Sequence, residues 1–246
     1  MGSSVCEFSL DPRVLSHSTW LKTFKCVTGG QTLDMSVDLA HYLAPKLSAK
    51  YVIVDAYPRF GPGLTEEGVE RIILNAPNAA SELTRTVLES HSYSLNTNYL
   101  WAARAVGTFI KPYSIQDLEP HPEFVMAAPG YSERHHDPAA EPIEFESVPL
   151  TADAIELMNG LHKELNSLGI KMMAIIPPLQ NAQIVLEAKP EFELIRPQAQ
   201  EDSCFRDAVH LRKACVPAYT QEIARLFNAQ IGKAPVNDGI PVGFQN

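Results

Sequence analysis

The chain has 246 residues, enough for one large α/β domain or two small ones, and its 45% hydrophobic and 20% charged residues exclude an intrinsically disordered chain. A formal net charge of −9 argues against a nucleic-acid backbone as partner. No apolar run approaches the roughly 18 residues that a bilayer crossing needs, so the chain as given carries no membrane span and reads as cytoplasmic.

In chain order, Gly2-Ser3-Ser4 stands just before a short helical turn, followed by Leu10-Asp11-Pro12. Phe24-Lys25-Cys26-Val27 is a weak strand candidate stopped by Gly29-Gly30. A helix is expected from Thr32 to Leu43, with Met35, Leu39 and Leu43 on one face. Tyr51 to Ala56 is a short apolar, β-branched strand ending before Pro58. Thr65 to Lys111 reads as mostly helical, and Pro112 to Pro149 as a proline-rich excursion over the surface, of the kind that covers a substrate site. Thr151 is placed to cap a helix carrying Met158, Leu161, Leu165 and Leu168, with Gly169 as its stop. Ile170 to Ile176 is a second buried strand. Pro217 opens a last helix with Tyr219, Ile223, Leu226 and Phe227 as its apolar stripe, and the tail after Gly232 is loosely held. Near-continuous apolar strands separated by helices predict a parallel sheet covered on both faces.

Four cysteines, Cys6, Cys26, Cys204 and Cys215, form no CxxC pair and are too scattered for a disulfide framework, so they read as free, mostly buried thiols. His135-His136-Asp137 has no third ligand in sight and reads as a solvated loop; no metal and no cofactor is expected.

The residues with chemical potential fall into three blocks. In Asp207-Ala208-Val209-His210 the carboxylate can accept the proton of one imidazole nitrogen, fixing the tautomer and leaving the other nitrogen as a base; such a pair is also common by chance. Gly2-Ser3-Ser4 can present a serine at a strand-to-helix bend, or be a frayed terminus. Thr28-Gly29-Gly30 can bring a backbone N–H close to a developing oxyanion, or be a plain turn.

Taken in order, Gly2-Ser3-Ser4 with Leu10-Asp11-Pro12, Cys26-Val27-Thr28-Gly29-Gly30, and Phe205-Arg206-Asp207-Ala208-Val209-His210-Leu211 with Pro217-Ala218-Tyr219-Thr220 resemble the SGNH (GDSL-type) hydrolase superfamily over nearly the whole chain. The wider pattern is most similar to its extracytoplasmic polysaccharide O-acyltransferase and teichoic-acid D-alanylation branch. The resemblance implies an α/β, three-layer flavodoxin-like parallel sheet with helices on both faces, in a single domain over 1–246 with a helical and proline-rich insertion at about 61–149. It implies a serine esterase or O-acyltransferase for small-molecule or polysaccharide esters, with Ser4 as nucleophile, His210 as base and Asp207 as its orienter. The resemblance also assigns the oxyanion-hole N–H groups to Ser4 and Gly29.

The chain departs from that pattern twice. Where hydrolytic members have an Asn after the third strand, this chain has Tyr57-Pro58-Arg59-Phe60. The Arg59 guanidinium either stabilises an oxyanion or substrate carboxylate, or makes a surface ion pair. Second, only three residues precede Ser4, so the first strand is missing or truncated. The resemblance therefore predicts in-frame residues upstream of Met1: a Val/Ile/Leu-rich run, and before it a basic and apolar segment that anchors or exports the protein. Two rivals follow from the departures: a catalytically inactive carbohydrate-binding or scaffold protein, and a fragment that does not fold alone.

Overall fold

The computed structural model describes residues 1–27, 31–57, 124–128, 131–134, 147–198 and 200–233. The helical stretch expected at 65–111, His135-His136-Asp137 and the tail beyond 233 lie outside the described residues. Within them the chain is α/β. Helices α1 (Ser4–Ser9), α2 (Pro12–Thr19) and α3 (Leu33–Lys46) precede strand β1 (Tyr51–Asp55). Strands β2 (Phe124–Ala128), β3 (Tyr131–Arg134) and β4 (Ser147–Leu150) lead to helix α4 (Ala152–Ser167). Strands β5 (Lys171–Ile175), β6 (Gln183–Leu186) and β7 (Glu193–Ile195) follow, then two 3₁₀ turns, Asp202–Cys204 and Lys213–Cys215, and helix α5 (Val216–Gln230). Among the described residues no helix is long and apolar enough to cross a membrane.

β5 lies between β1 and β7, all parallel, with Tyr51 opposite Lys171, Asp55 opposite Ile175 and Ile175 opposite Ile195. The other edge of β1 is paired by Met1. The Met1 nitrogen donates to the Ile53 carbonyl at 2.8 Å, and the Asp55 N–H donates to the Met1 carbonyl at 2.9 Å, the slanted pattern of a parallel pair. Gly2 in turn makes a parallel bridge to Val27. Among the described residues, Met1 and Gly2 thus stand between β1 and Val27. The strand expected at Phe24–Val27 contracts to that single bridge, and Phe24 is exposed.

Side chains alternate across these strands. Val52, Val54, Met172 and Ala174 pack with Ala40 and Ala44 of α3 and with Ile155, Met158, Leu161 and Leu165 of α4. Met173, Ile175 and Ile195 pack with Tyr219, Ile223 and Phe227 of α5 and Leu15 of α2. Complete burial of a side chain such as Ile223 or Phe227 is worth about 1.5–3 kcal/mol. The cap expected at Thr151 forms, its hydroxyl accepting from the Ala154 N–H at 3.3 Å, and Thr32, expected as the first residue of a helix, is instead the N-cap of α3, accepting from the Met35 N–H at 3.3 Å. Gly169, at φ +74°, stops α4, and the Ile170 N–H returns to the Leu165 carbonyl at 2.9 Å. Leu168 belongs to this exposed C-cap rather than to the core stripe.

Parts of the supposed proline-rich excursion are strands. β2 and β3 pair as an antiparallel hairpin that lies against α1, and β4 pairs in parallel with β6. The cysteines also differ from expectation. Cys204 and Cys215 are joined by a disulfide, with Cα atoms 5.6 Å apart, whereas Cys6 and Cys26 are free. The two bonded residues are distant in sequence, but the intervening loop folds back so that the 3₁₀ turns at its ends meet.

Gly2 is the tightest point of this arrangement. A Cβ built there would stand 2.5 Å from the Asp55 Cβ and 3.0 Å from the Cys6 Cβ. Gly2→Ala is therefore expected to lower unfolding stability by about 1–3 kcal/mol, the usual cost of overpacking. Urea denaturation of the two proteins measures it, and equal midpoints would show that the junction yields without cost.

Candidate functional site

The start of α1 is fixed by Ser3 rather than by Ser4. Ser3 is the buried N-cap: its Oγ accepts from the Val5 N–H at 3.2 Å and donates to Asp55 Oδ2 at 3.1 Å. Asp55 also accepts the Tyr57 N–H at 3.2 Å. Burial pushes the Asp55 carboxyl up to about 6, against the opposing pull of the Ser3 hydroxyl, the Met1 amino group and the Ser3 and Tyr57 N–H groups. At the other end of α1 the buried Lys25 ammonium donates to the carbonyls of Cys6 at 3.2 Å, Glu7 at 2.7 Å and Leu10 at 2.6 Å. Burial lowers its pKa to about 8, although the neighbouring Cys6, Glu7 and Asp11 oppose the shift. A six-residue helix, too short to persist alone, is in this way held at both ends.

The second component is the loop between the two 3₁₀ turns. His210 Nδ1 meets both Asp207 oxygens, at 2.9 Å and 2.8 Å, and the backbone N–H groups of Val209 and His210 donate to Asp207 Oδ1 at 3.1 Å and 2.9 Å. Burial would raise the Asp207 carboxyl, but the imidazole bond, the His210 charge and the two N–H donors together hold it well below the usual carboxylate range. The buried Arg206 guanidinium adds a bond to Asp207 Oδ2 at 3.2 Å and lies 5.9 Å from the centre of the Phe8 ring. The loop is closed at its neck by the Phe205–Leu211 bridge, by the Arg212 N–H donating to Cys204 O at 2.8 Å, and by the disulfide. Its tip is held by the Gln180 N–H on Ala208 O at 2.9 Å. For a loop of this length a disulfide contributes about 3 kcal/mol in the chain-entropy account.

The two components touch. Phe8 meets the His210 ring edge-on at a centroid distance of 5.8 Å. Positions 4 and 8 are one turn apart on α1 and share a face. The structure thus joins Asp207 to His210 and brings α1, which begins at Ser4, against that pair. Gly29 and Arg59 lie outside the described residues. Among the described residues no group of three or more His, Cys, Asp or Glu side chains is placed to hold a metal ion.

Several residues escaped the sequence reading. Ser3, Asp55 and Lys25 seat α1, and Arg206 and Phe8 frame Asp207 and His210. A visible signal existed for the disulfide, since Cys204 and Cys215 bracket the Asp-x-x-His block. Comparison with protein-family models, with curated proteins and with solved structures finds no significant match to the chain.

The raised Asp55 pKa has a defined sign. Below the unfolded pKa the carboxyl is protonated in both states and costs nothing. As pH rises through that value and on to about 6, the unfolded chain releases its proton first, and the fold loses stability. The depressed Asp207 acts oppositely: its contribution is present above the unfolded carboxylate pKa and is lost as pH falls. Asn at position 55 removes the charge, keeps an oxygen to accept a backbone N–H, and can meet Ser3 Oγ with its amide N–H donating in the reversed direction. Relative to the unsubstituted protein, Asp55→Asn should gain on the order of 2–3 kcal/mol between about pH 4 and pH 7. Urea midpoints across that range test it, and a constant difference would remove Asp55 from the pH dependence.

Proposed function

We propose that the protein is a serine esterase or O-acyltransferase of SGNH type. The observation that carries this reading is the Asp207–His210 pair: the carboxylate holds Nδ1, the imidazole is mostly buried, and α1 packs against its ring. A histidine whose Nδ1 is held by a carboxylate can act as a base through Nε2. Ser4 opens α1 where the parallel pairing of Met1 and Gly2 ends, the strand-to-helix position expected for a nucleophile.

The succession Val27, Gly2, β1, β5, β7, with α3 and α4 packed on one set of strand side chains and α2 and α5 on the other, supports a flavodoxin-like three-layer arrangement. The β2–β3 hairpin against α1 supports a role for the insertion beside the site. In the proposed reaction Ser4 Oγ attacks an ester carbonyl while His210 Nε2 takes the hydroxyl proton. Asp207 stabilises the resulting imidazolium, which returns the proton to the departing alcohol. Water or a sugar hydroxyl then takes the acyl group from Ser4. Ser4 and Gly29 N–H groups, with Arg59, are assigned to the oxyanion. An acylated carbohydrate is the substrate class implied by the resemblance.

Hydrolysis of short-chain aryl esters tests the reading. Ser4→Ala and His210→Ala should each lower kcat by orders of magnitude, with circular dichroism unchanged. Arg59→Ala should cost about 10²-fold, the scale of one oxyanion donor. Ser3→Ala should retain the chemistry but lose about 1 kcal/mol of stability with its cap. Full turnover by His210→Ala would refute the triad, and a folded chain without turnover would leave a catalytically inactive carbohydrate-binding or scaffold protein.

A further inference from the structure

The disulfide spans the loop that carries Asp207 and His210, from the end of the first 3₁₀ turn to the end of the second. Its two cysteines end the 3₁₀ turns on either side of that loop, and Cys215 is also the N-cap residue of α5. Both are partly exposed, and the flanking Asp202, Ser203, Lys213 and Ala214 are exposed, whereas the free Cys6 is buried. The bond therefore stands where a reductant can reach it. Besides the disulfide, the neck is held by the Phe205–Leu211 bridge, whose two bonds run from the Arg206 N–H to His210 O at 2.9 Å and from the Arg212 N–H to Cys204 O at 2.8 Å, and by Arg212 Nε donating to Phe205 O at 3.0 Å. Every one of these requires the two ends of the loop to stay together.

We infer that Cys204–Cys215 is a thiol–disulfide exchange site, with a dithiol reductant as its reactant, that sets whether the Asp207–His210 pair is held against α1. A thiolate of the reductant attacks Cys204 Sγ, and the S–S bond breaks. Cys215 leaves as the thiolate, favoured by its place at a helix N-terminus beside Arg212 and Lys213, and takes up a proton. The second thiolate of the reductant then displaces Cys204, which is protonated in turn. Two electrons and two protons pass to the chain, and the reductant becomes a disulfide. With the covalent neck gone, the loop ends can separate, and His210 loses its fixed position against Phe8. An oxidising disulfide reverses the change.

This regulation of the site rests on the proposed function for its consequence on turnover, but not for the structural coupling, so two readouts separate them. The native protein is treated with dithiothreitol and its thiols are counted after denaturation. The count should rise from the two free cysteines, Cys6 and Cys26, to all four. Amide resonances of 206–211 and the His210 ring signals should shift on reduction and return on reoxidation. Aryl-ester turnover should fall by about 10²-fold, the scale of a misplaced catalytic group. The double variant Cys204→Ser/Cys215→Ser should resemble the reduced protein and ignore dithiothreitol. Moving resonances without turnover in either state would uphold the exchange site and refute the esterase. No new thiols under native conditions, or new thiols with unmoved resonances and turnover, would overturn the inference.

Discussion

The missing side chain of Gly2 is the constraint on which the rest depends. Only without a Cβ does residue 2 fit against Asp55 and Cys6 while Met1 pairs with β1 and Gly2 with Val27. That approach puts the Ser3 hydroxyl on the Asp55 carboxyl, makes Ser3 the N-cap and starts α1 at Ser4. Lys25 then binds the carbonyls at the far end, and Phe8 meets His210. A short helix is placed by buried polar groups at its ends rather than by its own propensity. Each of these groups carries a desolvation cost that only its specific partners offset.

The opposite half of the site is organised differently. Asp207 and His210 satisfy each other within one loop, and the loop is closed by covalent and backbone bonds at its neck. The two carboxylates accordingly move in opposite directions. Burial dominates at Asp55, whereas at Asp207 the imidazole and two backbone donors outweigh it. A carboxyl with a raised pKa marks a buried junction, and one held ionised can support a protonated imidazole.

Legibility in the sequence followed range. Strands β1 and β5 were readable because β-branched and apolar runs bounded by proline or glycine are local signals, and the Thr151 hydroxyl and the Gly169 backbone announced the two ends of α4. The Asp207–His210 contact was readable because three residues separate its members. Pro129-Gly130 between Ala128 and Tyr131 was a hairpin signal passed over in a proline-rich stretch. Contacts between distant residues were not legible: Asp55 with Ser3, Lys25 with Leu10, and Phe8 with His210 have no sequence period. Short strands such as Glu193–Ile195 exist because a neighbouring strand pairs with them, not because three residues declare themselves.

The central claim is that the junction at Gly2 and Asp55 delivers Ser4 to an activated histidine. Peptide mapping by tandem mass spectrometry after treatment with a serine-reactive fluorophosphonate measures this most directly. The account predicts an adduct on Ser4 that disappears in His210→Ala. An adduct on Ser3, or none on the N-terminal peptide of the folded protein, would contradict it.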